Sequence, residues 1–236
     1  MSPFLGELIG TALLITFGGG VVANVVLNKT KGNNSGWIVI TFGWAMGVFI
    51  GVYAATKLGS GGHLNPAVTI AMSVLGTFDT ADLATYIGGQ FAGAFIGAVI
   101  VWLAYKPHFD ETTDAGAQLA VFSSGPAIRK PVYNVLTECI GTFILILGIL
   151  LMPQTDVNLG TLSALPASLL VLGIGLSLGG PTGYAINPAR DLAPRIAHAI
   201  LPMKGKGSSD WGYSWVPVVG PVIGAVLAVL VFKQIH

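Results

Sequence analysis

The sequence predicts an all-α membrane protein, with six transmembrane helices plus two re-entrant half-helices in two inverted three-helix repeats. Three observations carry that prediction. The 236 residues are 53% hydrophobic and 9% charged, where a soluble domain carries about 25% charged residues, and mean hydropathy is +0.77. Six stretches are apolar over the roughly 20 residues a helix needs to cross hydrocarbon. Two motifs also recur, in the same order, in the two halves of the chain.

The first span is Pro3–Leu27, with no basic leader or evident cleavage site before it, so a cleaved signal peptide is not expected. Trp37–Thr56 is the second. Pro66–Gly76 is apolar but would cover only about half a bilayer at about 1.5 Å per residue, and it has no charged face to offer water. It opens with Asn-Pro, the capping residue and first-turn proline of a helix start, and therefore reads as a re-entrant half-helix. Ala84–Tyr105 closes repeat one (1–105). The polar stretch Lys106–Pro131 holds most of the loop charge and forms the connecting loop (106–131). Repeat two (132–236) supplies Tyr133–Met152, Leu162–Gly180, a second Asn-Pro half-helix at Pro188–Leu201, and Trp215–Phe232. The whole forms a single channel-like membrane domain.

Each half begins with Glu-x-x-Gly-Thr, at Glu7–Thr11 and Glu138–Thr142, and each second span is followed by Asn-Pro-Ala, at Asn65-Pro66-Ala67 and Asn187-Pro188-Ala189. Three spans per repeat is odd, so repeat two enters the membrane from the opposite side. The half-helices then dip in from opposite faces and their asparagines meet near the centre. Thirty-three glycines, including the rows Gly43/Gly47/Gly51 and Gly89/Gly93/Gly97, are small-residue stripes that let helices approach closely.

A solute leaving water loses hydrogen bonds at several kcal/mol per group, and a pore must replace them. Non-helical backbone at membrane depth is tolerated where it lines a cavity. The carbonyls of Gly61, Gly62, His63 and Leu64, and of Gly183, Tyr184, Ala185 and Ile186, are therefore expected to line a lumen. Asn65 and Asn187 would present amide donors where two half-helix dipoles aim positive potential, opposing cations and protons. Glu7 and Glu138 are costly intramembrane charges. They read either as loop-buttressing acceptors or as protonatable groups of a transporter, and their symmetry favours buttressing.

Composition excludes several classes. A formal net charge of +1 without a basic block offers nothing to nucleic acid. Cys139 is the single cysteine and His63, His108, His198 and His236 are scattered, so neither a metal nor another cofactor is implied. No nucleophile–base pair points to an enzyme.

Ser60–Thr69 and Gly183–Asp191, each built around an Asn-Pro-Ala, resemble the aquaporin and glycerol-facilitator channels, the major intrinsic proteins, and the resemblance covers nearly the whole chain. It implies that Glu7 and Glu138 buttress the pore loops and that Arg190 forms the narrowest ring. Tyr184 fills the aromatic place, Gly175 the span-five place, and Trp44 the span-two place once one residue is inserted around Lys57–Gly59. Strict water channels carry a histidine where Gly175 stands. Asp191, Pro217 and Val218 are the further markers that resemble the glycerol-facilitator branch, whereas Tyr184 departs from the phenylalanine of many facilitators. Trp211, Tyr213 and Trp215 are expected to be interfacial anchors.

The resemblance implies passive conduction of glycerol, dihydroxyacetone and water, extending to urea or undissociated short hydroxy acids, by a homotetramer in the plasma membrane, in contact with membrane lipid. A water-selective channel is the alternative within the family, and a proton-coupled secondary transporter the alternative outside it. A non-conducting adhesion role has no sequence feature in its favour. Both termini would be cytoplasmic. That puts Lys57 and Lys233 inside and Lys29, Lys31, Lys106, Arg129, Lys130, Lys204 and Lys206 outside, against the positive-inside rule.

Overall fold

Helices form wherever the apolar runs are long and uninterrupted. In the computed structural model, which describes residues 2–152 and 160–235, α1 (Pro3–Val26), α2 (Trp37–Lys57), α3 (Pro66–Leu75), α4 (Leu83–Asp110), α5 (Ala115–Ala120), α6 (Pro131–Leu151), α7 (Leu165–Leu178), α8 (Pro188–Ile200) and α9 (Val216–Ile235) follow one another. Short 3-10 turns at Thr80–Asp82 and Gly160–Ala164 lead into α4 and α7. Six helical segments among the described residues are long and apolar enough to cross a membrane.

The connecting stretch is more ordered than its polarity suggests. α4 continues past Tyr105 to Asp110, through Pro107, and the six-residue α5 interrupts what was expected as loop 106–131. Lys106 pairs with Asp110 one turn on, and the Asp114 side chain caps α5 through Gly116 and Ala117 N–H. Local ion pairing and capping thus sustain helix where hydrophobicity ends.

Helix packing follows the repeat. α1 lies against α2 and α4, and α6 against α9. Glycine sets the separation: a Cβ at Gly93 would stand 2.1 Å from the Leu8 carbonyl oxygen, and one at Gly224 2.1 Å from the Cys139 oxygen. The glycine row of α4 is thus consumed within the chain, against α1. Contacts also cross between repeats. The half-helix α3 packs on α9, α8 packs on α4, and α2 meets α7. The pore loops are therefore clasped by helices from both halves.

Both half-helices begin at their asparagines. Asn65 Oδ1 accepts from Ala67 N–H at 2.9 Å, and Asn187 Oδ1 from Ala189 and Arg190 N–H at 3.0 and 3.1 Å. Gly76 ends α3 in the left-handed region at φ +93°, where only glycine is unstrained. Lys233 Nζ donates to the Val74 carbonyl at that end, and Lys206 Nζ donates to His198, Ala199 and Leu201 carbonyls at the end of α8.

Candidate pore

The segments Ser60–Asn65 and Thr182–Asn187 adopt one backbone design twice. Left-handed residues occur at equivalent places, Gly62 with Tyr184 (φ +67° and +37°) and Leu64 with Ile186 (φ +50° and +44°). For bulky side chains this conformation is a strained one that the surroundings must enforce. The enforcing groups are carboxylates. Glu7 accepts from His63 N–H at 3.0 Å and Leu64 N–H at 2.7 Å, and Glu138 from Ala185 N–H at 3.0 Å and Ile186 N–H at 2.8 Å. Both glutamates are buried and charge-assisted bonds of this kind are the strong ones. In repeat one, Ser60 Oγ also donates to Glu7, and Gln90 Nε2 donates to Glu7 at 2.7 Å and Thr69 at 2.9 Å.

The two loops are tied to each other as well. Asn65 Nδ2 donates to the Ile186 carbonyl and Asn187 Nδ2 to the Leu64 carbonyl, both at 2.8 Å. One hydrogen of each amide and one lone pair of each carbonyl are thus committed between repeats, leaving one hydrogen per asparagine for another partner.

A cavity of about 600 Å³ runs beside this junction. Its lining is mixed: Val48, Val52, Val68, Leu145, Ile149 and Val171 are apolar, and the loop residues Gly61, Gly62, His63, Leu64, Asn65, Ala185, Ile186 and Asn187 also contribute. Trp44, Tyr184 and Arg190 also line it. The Arg190 guanidinium carbon stands 4.1 Å above the Trp44 ring, a cation–π contact. Among the described residues its side chain makes one long hydrogen bond, 3.5 Å to the Gly183 carbonyl, so most of its N–H donors are uncommitted. Trp44 Nε1 and the Tyr184 hydroxyl are buried and have no hydrogen-bond partner among the described residues.

Several expected residues lie elsewhere. Gly175 does not line the cavity but sits behind Tyr184, where an added Cβ would stand 2.8 Å from Tyr184 Cζ and 3.0 Å from Thr41 Cγ2. The room it provides is filled by the tyrosine ring. Gly183 also lies off the lining, its carbonyl turned to Arg190. Pro66, Ala67, Pro188 and Ala189 are buried at the starts of the half-helices. Pro217 is buried in the first turn of α9 and Val218 half-buried beside it, neither against the cavity. Tyr213 is buried at 1% exposure, beneath the Arg129 guanidinium, rather than anchoring at an interface. Trp211 and Trp215 are exposed.

Asp191 is fully buried and away from the cavity. It accepts from Ser124 N–H at 2.7 Å and pairs with Arg195, which in turn donates to Ser124, Ser209 and Asp210 carbonyls. This ion pair knots two connecting segments onto α8, next to Arg190. Arg195 and Gln90 were not singled out from sequence. An arginine four residues after an aspartate in an apolar segment was the available signal for the first.

With this geometry in view, the comparisons agree. The family model described as major intrinsic protein matches residues 1–232. A probable glycerol uptake facilitator protein of Thermotoga maritima is 55% identical over 99% of both chains. A glycerol uptake facilitator protein of Streptococcus pneumoniae is 54% identical, again over 99% of both. The X-ray structure of the aquaglyceroporin from Plasmodium falciparum superposes with a TM-score of 0.84 at 31% identity, covering 98% of this chain and 95% of that one. Paired half-helices meeting at reciprocal asparagines, inside six apolar spans, are the architecture of a multi-pass integral membrane protein that belongs to the major intrinsic protein family.

Proposed function

We propose that this chain is a passive channel for glycerol and other small uncharged solutes, conducting some water and excluding ions and protons. The observation that carries the reading is the mixed lining of the cavity. A linear polyol has hydroxyls along one edge and C–H groups along the other. The pore-loop and asparagine residues of the lining suit the first, and its valine, leucine and isoleucine residues the second. Relatives that share more than half their residues with this chain are named as glycerol uptake facilitators, one of them as a probable one.

Trp44, Tyr184 and Arg190, with Gly175 behind the tyrosine, form the selectivity filter on this reading. Arg190 donors and nearby carbonyls bind hydroxyls while Trp44 and Tyr184 meet the carbon backbone. Asn65 and Asn187, held in Asn-Pro-Ala motifs with Pro66, Ala67, Pro188 and Ala189, form the central constriction. Their remaining amide hydrogens donate to the passing solute, and the half-helix termini oppose cations. Glu7 and Glu138 hold the carbonyl ladder in place. The same filter would admit dihydroxyacetone, urea and undissociated short hydroxy acids. Four such pores would assemble as a homotetramer in the cell membrane, with both termini cytoplasmic.

The test is stopped-flow light scattering of proteoliposomes facing glycerol and sucrose gradients, with empty liposomes as baseline. Glycerol entry well above baseline, together with no proton leak reported by an internal pH dye, is the expected result. Fast water flux with baseline glycerol flux would replace this reading with a water-selective channel.

A further inference from the structure

Tyr184 lines the cavity, and what stands behind it decides how far its ring projects. The ring lies in a slot cut into α7 by two glycines one turn apart. A Cβ at Gly175 would be 2.8 Å from Tyr184 Cζ, and one at Gly179 would be 2.5 Å from Tyr184 Cδ1. Thr41 faces the first of these positions and Trp37 the second, where Trp37 Cζ2 would stand 2.8 Å from the added carbon. The Trp37 and Tyr184 rings meet edge to face, with centroids 5.9 Å apart and planes at 78°. Trp37 Nε1 donates to the Gly175 carbonyl at 2.9 Å.

Those two contacts are complementary. Gly175 lies in the last turn of α7, where carbonyls lack an intrahelical partner, and the indole N–H supplies one. With its nitrogen fixed to α7, the indole cannot swing away and its edge closes the open end of the slot. Tyr184 itself offers little resistance to displacement. Its backbone is held at φ +37° and its hydroxyl has no partner among the described residues, so contacts to the ring fix its position.

We propose that Trp37 is a positioning residue for solute size: it holds Tyr184 forward against the lumen and thereby sets the largest polyol the pore admits. The proposal rests on the channel reading above and concerns a residue that does not line the cavity. Trp37→Ala opens the slot, lets the ring retreat, and widens the constriction. Trp37→Phe keeps an aromatic wall and loses only the indole donor.

The experiment measures water, glycerol, erythritol and xylitol permeability of proteoliposomes carrying wild type, W37A, W37F, Y184A and W37A/Y184A. The expected result is an erythritol-to-glycerol ratio raised about threefold or more in W37A, a modest shift beside the discrimination a pocket makes per methylene. W37F should stay within about twofold of wild type, because the ring wall remains. In the Y184A background W37A should change the ratio no further, since the residue acts through the tyrosine. An unchanged ratio in W37A, a proportional fall of all four permeabilities, or an equal shift without Tyr184 would each overturn the proposal. If W37A fails to fold, W37L takes its place in the same cycle. Baseline glycerol flux in wild type would sink the polyol reading alone; W37A must then admit glycerol, or the positioning role falls too.

Discussion

At the scale of single residues, the buried carboxylates and the filter glycine make the sharpest predictions. Glu138 holds two backbone N–H groups, at 3.0 and 2.8 Å, and is itself buried. Glu138→Ala orphans both, at about 1–3 kcal/mol each. It should lower the thermal midpoint in detergent and bring glycerol flux to the liposome baseline, whereas Glu138→Gln should retain part of both. Gly175→Ala drives a methyl into the Tyr184 ring. The ring moves toward the lumen, so glycerol flux should fall more steeply than water flux in the same vesicles; equal falls would mean a general loss of structure. Tyr184→Phe removes a hydroxyl that has no partner among the described residues, so the midpoint should be nearly unchanged and glycerol flux should stay within about twofold of wild type. Residue types were legible in the sequence, but their directions were not. Gly175 was identified as room in the filter, yet the structure fills that room with Tyr184. Asp191 was marked as a solute-class residue, and its role in tying loops to α8 through Arg195 is visible only in the structure. Side-chain direction in an irregular loop depends on φ values such as that of Tyr184, and no periodicity encodes those.

At the scale of elements, close helix packing should respond to added volume in a pattern set by the partner. Gly93→Val meets the Leu8 carbonyl, and Gly224→Val the Cys139 carbonyl, in the equivalent seams of the two repeats. Rigid backbone cannot yield as a side chain does, so both variants should lose monodisperse protein on size-exclusion chromatography. Gly20→Val, with nothing within 4 Å of its Cβ position, is the control and should elute as wild type. The spans were legible to within a few residues because hydropathy is a direct readout of what lipid tolerates. Both half-helices were legible too, since Asn-Pro marks a start whatever follows. The C-terminal end of α4 and the presence of α5 were not, because they depend on caps and on the Lys106–Asp110 pair rather than on hydrophobicity.

At the scale of the molecule, the loops beside the helix ends are joined by polar contacts of unequal weight. Lys29 pairs with Glu111, and both are exposed. The hydrogen bond and charge of Lys29 hold the Glu111 carboxyl below the usual range. Any stability this gives is therefore present above the unfolded carboxylate pKa and lost as pH falls through the lower folded value. Solvent screens such a pair, so Lys29→Ala should leave the thermal midpoint at neutral pH nearly unchanged. Asp191→Asn acts on a buried pair instead, and should lower that midpoint by several degrees; similar small shifts for both would show that the loops are held by other means.

The reciprocal asparagine bonds also impose an order on synthesis. Asn65 is translated 121 residues before the Ile186 carbonyl that its amide finally meets. At about 5–20 residues per second, the ribosome makes the first half wait roughly 6 to 24 seconds for the second. During that interval the amide of Asn65 and the carbonyl of Leu64 have neither of their final partners. A nascent first half is therefore a client: water, lipid headgroups or the insertion machinery must shelter its half-buried loop until the partner arrives.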